Sequence, residues 1–251
     1  MAVDKKMTLK EVYVYIRDKY GDLVSYKTTW YWLRKKLKLR YSKPYVRDER
    51  RPENAEEIFK KLSEALSDLN DPIIGFCDET SFMSSPSKLR VFGGGVVKHR
   101  LPSRRERFYA LGCMLLNGND VVLISDSART GDFITLLYFV RRHNPERPIV
   151  LVVDNAKIHS AERTIRTAIS LGIRFVFLPP YSPDLNPIEF SWRDCKRDLW
   201  LLSMNEARVS FKKTFMKYVE ERKMSYSRRW LERYGDILTY KGVLLKTGKM
   251  N

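Results

Sequence analysis

The sequence predicts an α/β protein in which a mixed sheet is flanked by helices and preceded by a small helical module. Apolar, strand-like runs come first as a hairpin near residues 107–125 and then alternate with helical stretches, an order typical of a mixed sheet. The 251 residues suffice for one catalytic domain and a small module. No apolar run reaches the roughly 18 residues that span a bilayer, and residues 1–10 lack a signal-peptide core.

Residues 1–50 predict two short helices joined by a tight turn, which is the arrangement of a helix-turn-helix module. Thr8 and Glu11 have the spacing of a capping box at the start of the first helix. Gly21 ends that helix, and Ser25 begins the second. The second helix is expected to bury an apolar stripe formed by Trp30, Leu33 and Leu37. A plain helical hairpin without a DNA-binding role is the alternative interpretation.

The predicted second helix carries side chains of the kinds that contact phosphates and base edges in a DNA major groove. The candidate DNA-contacting residues of this module are Lys27, Thr28, Thr29, Tyr31, Arg34, Lys35, Lys36 and Lys38. A later helix supplies three further basic candidates for DNA contacts, Arg193, Lys196 and Arg197.

Charge is concentrated at the two ends of the chain. The whole sequence has a formal net charge of +17, of which residues 1–50 contribute +8, residues 51–190 contribute +1 and residues 191–251 contribute +8. Two basic ends around a balanced centre indicate a polyanionic partner, and nucleic acid is the obvious one. A generic basic surface is the alternative.

The remaining elements follow from periodicity and turn signals. Residues 51–70 are predicted to be a linker and a connecting helix over 54–69, capped by Asn54. Residues 71–202 are predicted to be the catalytic domain, and 203–251 a basic helical tail. Within the catalytic domain, strands are predicted at 73–77, 107–116, 121–125, 148–153 and 173–178, and helices at 130–142, 161–171 and 188–202.

Two acidic residues stand at the ends of predicted buried strands. Asp78 follows the strand at 73–77, and Asp154 follows the strand at 148–153. A carboxylate there is costly unless it is paired or binds a metal. Because strand ends meet at one edge of an open sheet, both acids are expected to share one site.

A third candidate, Glu189, lies at the start of a predicted helix, where Asn186 is a suitable N-cap and Pro187 suits the first turn. A capping-box glutamate is the alternative interpretation. Three carboxylates would suit Mg²⁺, which prefers oxygen ligands. The three cysteines, Cys77, Cys113 and Cys195, are widely spaced and form no zinc-binding or disulfide pattern.

Other polar residues lie near these acids in the sequence. Asn155, Lys157, His159 and Asn186 are candidates for supporting the carboxylates or touching a phosphate, and a structural histidine is an equal alternative for His159. Asp126 follows the strand at 121–125 and is the main rival to Asp154, but a structural role is expected for it. Asp184 is expected to form a turn, and Glu79 to face away from Asp78.

Three segments together resemble the mariner superfamily of DDE transposases, and most of all its insertion-sequence branch in bacteria and archaea. They are FCDETSF at 76–82, DNAKIH at 154–159 and PYSPDLNPIE at 180–189, with 34 residues between Asp154 and Glu189. The resemblance covers about residues 25–200. It implies a ribonuclease-H-like catalytic fold, with Asp78, Asp154 and Glu189 as catalytic metal ligands.

The resemblance further implies two Mg²⁺ ions, for which Mn²⁺ can substitute. Asp78 would bridge both ions, and Asp154 and Glu189 would each hold one. Water would cleave the element ends, and the freed 3′-hydroxyl would attack target DNA at TA dinucleotides without a covalent protein–DNA intermediate. The expected partners are double-stranded DNA and a second copy of the chain, and the expected location is the nucleoid in a prokaryotic cytoplasm, without membrane association.

In one respect the sequence departs from the family pattern, in which two helix-turn-helix units precede the catalytic domain. Only one such unit is predicted here, which favours a truncated or split chain. Two other functions therefore remain open. One is a DNA-binding remnant that no longer reacts, and the other is a ribonuclease-H-type nuclease acting on RNA–DNA hybrids. The helix-turn-helix argues against the latter, because A-form grooves do not admit a recognition helix.

Overall fold

The computed structural model of the chain describes residues 7–41, 48–60, 62–84, 106–205, 210–221, 228–234, 239–240 and 243–244. By its internal contacts the chain divides into two compact units, residues 1–47 and residues 48–251. None of the described helices is both long and apolar enough to cross a bilayer.

The first unit contains α1 (Leu9–Tyr20) and α2 (Tyr26–Tyr31), and α2 continues as a π-helical segment, Trp32–Lys36. The predicted capping box is present. The Thr8 hydroxyl accepts from the Glu11 amide at 3.3 Å, and the Glu11 carboxylate accepts from the Thr8 amide at 2.6 Å. This reciprocal pair satisfies two amides that have no partner within the helix.

The predicted apolar stripe on the second helix is wrong. Trp30 and Leu37 are exposed, Leu37 by 63%, and Leu33 is half-buried. In the described part of this unit only Val12 and Thr29 are buried. The prediction assumed α-helical periodicity, but the π-helical segment changes the angle between successive side chains. In addition, the two helices described here offer little surface on which a stripe could be buried.

One predicted DNA-contacting residue of this module, Thr29, is not accessible for such a contact. It is buried, and its hydroxyl donates to the Ser25 carbonyl at 3.1 Å within the helix. Thr28 is half-buried and its hydroxyl pairs with the Ser25 hydroxyl at 2.9 Å. The other six candidates of this module, Lys27, Tyr31, Arg34, Lys35, Lys36 and Lys38, are exposed.

The second unit contains the sheet. Its elements in chain order are α3 (Ala55–Lys60), α4 (Leu62–Ala65), β1 (Ile73–Met83), β2 (Arg107–Leu115), β3 (Val121–Ser125), α5 (Thr130–His143), β4 (Ile149–Val153), α6 (Lys157–Ser160), α7 (Glu162–Ser170), β5 (Ile173–Phe177), a 3-10 turn (Pro183–Leu185), α8 (Ile188–Asn205), α9 (Phe211–Glu221), α10 (Arg228–Tyr234), β6 (Thr239–Tyr240) and β7 (Val243–Leu244).

The five long strands form one mixed sheet in the order β3-β2-β1-β4-β5. The first three strands are antiparallel neighbours, whereas β4 and β5 run parallel to β1. This arrangement confirms the predicted mixed sheet flanked by helices. The separate β6–β7 pair was not predicted.

The hairpin between β2 and β3 forms where the sequence predicted it. Gly118 has φ 79°, a left-handed conformation that glycine adopts without steric cost. The side chain of Asp120 accepts from the Leu115 amide at 2.7 Å, and that of Asn117 accepts from the Asn119 amide at 3.2 Å. These short polar side chains satisfy backbone amides that the turn leaves unpaired.

Helices cover both faces of the sheet. On one face, Cys77, Leu111 and Leu151 pack against Phe133, Leu136, Leu137 and Val140 of α5. The opposite face is divided between two clusters. One joins Ile74 and Val150 to α3, α4 and α10, and the other joins the middle of the sheet to α8 and α9.

The helix predicted over residues 54–69 is shorter than expected. It ends at Ala65, and residues beyond it form turns in which the Leu69 amide donates to the Leu66 carbonyl at 3.1 Å. The four-residue helix α6 between β4 and α7 was not predicted. All three cysteines are buried free thiols, and Cys77 and Cys113 face each other on neighbouring strands.

Gly112 allows α8 to lie close against the sheet. It pairs with Asp78 across β1 and β2. A Cβ atom there would come within 2.5 Å of Trp192 Cζ2 and 3.2 Å of Ile188 Cδ1, both on α8. Trp192 is buried, so it has little room to move.

We predict that Gly112→Ala lowers the free energy of unfolding by about 1–3 kcal/mol, the usual cost of overpacking a core. Denaturant titration of the purified chain measures it. Gly131→Ala is the matched control, because no atom lies within 4 Å of the added methyl group, and it should stabilise by up to about 1 kcal/mol. Equal effects at the two positions would contradict this account of the packing.

Candidate active site

One cavity of about 400 Å³ lies beside the middle of β1 and the end of β4. Its walls include all three predicted carboxylates, Asp78, Asp154 and Glu189. The remaining lining residues are Asn155, Ala156, Leu178, Pro179, Pro180, Tyr181, Ser182, Pro183 and Asn186. The three acids therefore lie around one cavity, and the proline-rich loop over residues 179–183 forms part of its wall.

Asp78 lies within a strand and not after one, which corrects the sequence prediction. Pairing with β2 continues as far as Met83, whereas pairing with β4 reaches only Phe76, opposite Val152. β1 therefore continues beyond Phe76 because it still pairs with β2 there. Asp78 and Asp154 each lie two residues beyond that last β1–β4 pair, which sets the two carboxylates level where the strands diverge.

Asp154 is held by two hydrogen bonds to the same oxygen. Its Oδ1 accepts from the Ala156 amide at 2.9 Å and from His159 Nδ1 at 2.7 Å. Burial alone would raise the pKa of Asp154, but these two bonds and the charge of His159 bring its pKa below the usual value. Asp154 is therefore ionised and fixed in direction.

His159 is completely buried behind Asp154 and does not line the cavity. Its Nε2 lies 3.1 Å from Glu79 Oε2, outside hydrogen-bond geometry, so the contact is best described as an ion pair. Glu79 follows Asp78 in β1 and faces away from it, as predicted. Burial lowers the pKa of His159, but Asp154 and Glu79 together raise its pKa to about 10.

Glu189 lies in the first turn of α8, and Asn186 fixes where that helix begins. The Asn186 backbone is extended, and its Oδ1 accepts from the Ile188 amide at 3.4 Å. Its Nδ2 donates to the Cys77 carbonyl at 3.0 Å, one residue before Asp78. The Asn186 amide donates to the Pro183 carbonyl and not to Glu189, so no capping box uses this carboxylate.

Burial and mutual repulsion raise the pKa values of two of the three acids, Asp78 and Glu189. Burial and then the charges of Glu189, Glu79 and Asp154 raise the pKa of Asp78 well above its usual value. Burial also raises the pKa of Glu189, where Lys196 opposes the shift and Asp154 adds to it. A divalent cation would relieve this repulsion, and carboxylate oxygens are the ligands that Mg²⁺ prefers.

The carboxylates at the cavity do not enclose a ready-made metal site in this structure. Across the described part of the chain, no three His, Cys, Asp or Glu residues converge closely enough to hold an ion as they stand. The three acids nevertheless line one cavity, and the repulsion between Asp78 and Glu189 is what a bound cation would relieve.

The other predicted residues lie at varying distances from this cavity. Asn155 lines it and donates to the Leu178 carbonyl at 2.7 Å. Lys157 is exposed on α6 and is not part of the wall. Asp126, the rival of Asp154, is 92% exposed beside Lys212, and Asp184 pairs with the buried Arg51.

The basic candidates on α8 differ among themselves. Lys196 contacts the Thr80 hydroxyl at 2.5 Å and lies 5.5 Å from the centre of the Phe82 ring, next to β1. Arg193 and Arg197 are exposed, and both make ion pairs with Asp194. The charge of Lys196 opposes the rise in the pKa of Glu189.

One contact next to the cavity was not predicted. Tyr181 forms part of the wall, and the Arg50 guanidinium lies 4.0 Å from the centre of its ring. The sequence gives no signal for this contact, because Arg50 lies outside the predicted catalytic domain, residues 71–202. The family-like motif around Tyr181 could have marked the tyrosine but not its partner.

Comparison with solved structures shows the fold of this unit. The chain resembles a pre-cleavage Mos1 transpososome (TM-score 0.52, 17% identity), covering 100% of this chain and 78% of the other. It also resembles the mariner Mos1 paired end complex with Mg, with a TM-score of 0.51 and 18% identity over 98% of this chain and 76% of the other. The Mos1 transposase catalytic domain with Raltegravir and Mn is similar with a TM-score of 0.50 and 15% identity over 83% of this chain and 100% of the other. These similarities confirm the predicted ribonuclease-H-like fold.

Sequence comparison places the chain in a family. No curated protein matches it. The family model described as DDE superfamily endonuclease, however, matches residues 74–221. That span includes Asp78, Asp154 and Glu189 and more than half of the chain. The chain belongs to the DDE superfamily of endonucleases.

Proposed function

We propose that this chain is a transposase that cleaves the ends of a mobile DNA element and joins the freed 3′-hydroxyl to target DNA. The observation that carries the proposal is the placement of Asp78, Asp154 and Glu189 around one cavity in a DDE superfamily endonuclease. The similar Mos1 structures are a pre-cleavage transpososome and a paired end complex with Mg. They support element ends as the substrate and Mg²⁺ as the cofactor.

Asp78, Asp154 and Glu189 would hold two divalent cations, either Mg²⁺ or Mn²⁺. When bound, such a pair stabilises both the attacking and the leaving oxygen of a displacement at phosphorus. The protein's own contribution is placement. The strand fixes Asp78, and the helix start at Asn186 fixes Glu189.

Asp154 has a particular role in this arrangement. Its Oδ1 already accepts two hydrogen bonds, so Oδ2 is the oxygen with capacity for a cation. Lys196 beside Glu189 supplies positive charge for a DNA phosphate. Pairing of two element ends by a homodimer and insertion at TA dinucleotides complete the proposed activity.

The N-terminal module would bind duplex DNA with little dependence on its sequence. Its exposed lysines and arginines suit phosphate contacts, which carry no sequence information by themselves. With Thr29 buried and Thr28 engaged at the helix start, few side chains of this helix remain for base edges.

The first prediction concerns the carboxylates. Asp78→Asn, Asp154→Asn and Glu189→Gln should each abolish cleavage of DNA carrying the flanking inverted repeats, in Mg²⁺ or Mn²⁺, while DNA affinity is retained. Asp126→Asn is the control and should cleave normally, because Asp126 is at the surface. Full cleavage by Glu189→Gln would remove Glu189 from the site, and cleavage of RNA–DNA hybrids alone would indicate a nuclease instead.

The second prediction concerns the histidine behind Asp154. His159→Ala should weaken Mn²⁺ binding and cleavage by about 10- to 100-fold, the usual effect of removing a residue that orients a metal ligand. His159→Asn, which can still donate a hydrogen bond, should recover part of both. Mn²⁺ titration by electron paramagnetic resonance measures binding independently of cleavage.

The control for this prediction is His143→Ala, because His143 is exposed on α5 and bonds only to the Phe139 carbonyl among the contacts described. His159→Ala should also lower the free energy of unfolding by about 1–3 kcal/mol, since it removes the partner of Glu79. Unchanged Mn²⁺ affinity in a folded His159→Ala protein would contradict the orienting role.

The third prediction concerns DNA binding. Log affinity should fall steeply with log salt concentration, by about 0.9 per phosphate neutralised. Lys35→Ala and Lys36→Ala should each reduce that slope by about 0.9, the value for one phosphate contact, on every DNA sequence alike. Lys217→Ala is the control, because Glu221 lies 3.9 Å from this lysine. Titrating the chain with end-sequence duplexes and with scrambled duplexes tests this prediction. An affinity for the end sequence more than about a thousandfold higher than for the scrambled one would instead show sequence-specific binding.

A further inference from the structure

The N-terminal unit exposes several large aromatic side chains that the sequence led us to expect in a core. Tyr26 is 48% exposed, Trp30 38% and Tyr41 61%. Tyr26 and Trp30 lie one turn apart on α2, and the centres of the Trp30 and Tyr41 rings are 5.1 Å apart. These three rings share one side of the module, which we call the aromatic face. Exposed clusters of large apolar side chains mark interaction sites.

The module itself holds these rings in place. Tyr26 packs edge-to-face on Tyr13 of α1, with ring centres 5.5 Å apart, and Trp30 packs in the same way on Tyr41. Lys38 has φ 53°, a left-handed conformation, and the turn that it makes after the helical segment brings Tyr41 back to Trp30. Because the rings are already ordered, a ligand that stacks on them costs little side-chain entropy.

Cations surround the aromatic face. The Arg34 guanidinium lies 5.8 Å from the centre of the Trp30 ring, and its Nη1 donates to the Leu39 carbonyl at 2.9 Å. The other exposed cations of this segment are Lys27, Lys35, Lys36, Lys38 and Arg40. Residues 23–47 contain eight lysines and arginines and no aspartate or glutamate. A partner for this face must therefore combine negative charge with flat apolar groups.

Three other partners fit this face poorly. A second copy of the chain, docked by two-fold symmetry, would bring two positively charged faces together. A membrane surface would receive the charge of Arg34 together with the rings, whereas interfacial helices keep their charges on the opposite side. Duplex DNA presents phosphates but keeps the flat faces of its bases stacked inside the helix. A single strand presents both phosphates and unpaired bases.

We propose that the aromatic face binds single-stranded DNA, with unpaired bases stacked on Trp30 and its neighbouring rings and with phosphates at the surrounding cations. Stacking on a ring uses only the flat face of a base, so the site would accept any base sequence. The module would consequently bind a single strand more tightly than a duplex of the same length. This binding goes beyond the proposed transposase activity and does not depend on it, because no strand is cut.

The test uses the full chain in metal-free buffer. A labelled single strand of about 20 nucleotides, longer than the roughly 4–16 that one single-strand-binding fold covers, is compared with the duplex of the same sequence by fluorescence anisotropy at several salt concentrations. The variants are Trp30→Leu, Trp30→Phe and Lys35→Ala. Leucine keeps an apolar side chain without a ring, which separates stacking from packing. Tyr138→Ala, at a tyrosine 55% exposed on α5, is the control.

We expect the natural chain, Trp30→Phe and Tyr138→Ala to bind the single strand more tightly than the duplex at every salt concentration. Trp30→Leu should weaken single-strand affinity by between about fivefold and a hundredfold, the range for one stacked base. Its duplex affinity and the dependence of its affinity on salt should stay unchanged. Lys35→Ala should instead reduce the salt dependence for the single strand and the duplex alike, because it removes a phosphate contact.

Equal affinity of the natural chain for single strand and duplex, or a single-strand preference that survives in Trp30→Leu, would overturn the proposal. An equal loss of both affinities in Trp30→Leu would also overturn it, because the ring would then serve only to pack the module. So would Trp30-dependent binding to RNA alone, to vesicles of anionic phospholipid in place of the strand, or to a second copy of the chain.

Cleavage of element ends, measured separately in Mg²⁺, distinguishes this proposal from the proposed function. A Trp30-dependent preference for single strands in a chain that never cleaves element ends would refute the transposase and retain the single-strand site. Cleavage by a chain without that preference would refute the single-strand site alone.

Discussion

The side-chain amide of Asn186 joins the two elements that carry Asp78 and Glu189. One end of the amide donates to the Cys77 carbonyl in β1, and the other accepts from the Ile188 amide at the start of α8. The residue is only 2% exposed, so either bond would be costly to leave unmade. Asp78 is one residue from the first bond and Glu189 one residue from the second. The separation of two carboxylates on different elements therefore depends on one amide.

The charges around the cavity are compensated unequally. His159 holds Asp154 ionised, and Glu79 faces the other ring nitrogen. Asp78 and Glu189 have raised pKa values because of burial and mutual repulsion. A carboxyl whose pKa is raised on folding destabilises the folded state once pH exceeds its unfolded pKa. This region is thus less stable at neutral pH than an apolar one would be, and a bound cation would remove the penalty.

The hydrophobic pattern of the sequence was sufficient to predict the sheet and most helices around it. The strands β3, β4 and β5 and the helix α5 lie within a residue or two of their predicted bounds, because long apolar runs and a strong turn determine them locally. The extension of β1 through Asp78 could not be predicted in this way. It depends on pairing with β2, a contact between residues far apart in sequence. The π-helical segment and the short α6 likewise have no periodic signal.

The position of the candidate site could be predicted because it depends on local sequence features, whereas the contacts that support it involve residues far apart in the sequence. Strand ends and a helix cap are local features, whereas the proline-rich loop before Glu189 is held by distant residues. Arg51 pairs with Asp184, and Trp230 donates to the Leu185 carbonyl at 3.2 Å. A loop with few regular backbone hydrogen bonds needs such partners.

Both partners lie outside residues 71–202, which the sequence indicated as the catalytic domain. Arg51 comes from the segment before it, and Trp230 comes from α10 in the basic tail. Phe211 and Phe215 of α9 also pack into the cluster that contains Trp192 of α8. The helix that carries Glu189 is consequently supported by chain that the motifs do not mark. Three carboxylates indicate the chemistry from sequence, but the placement of Glu189 also depends on Arg51, α9 and α10.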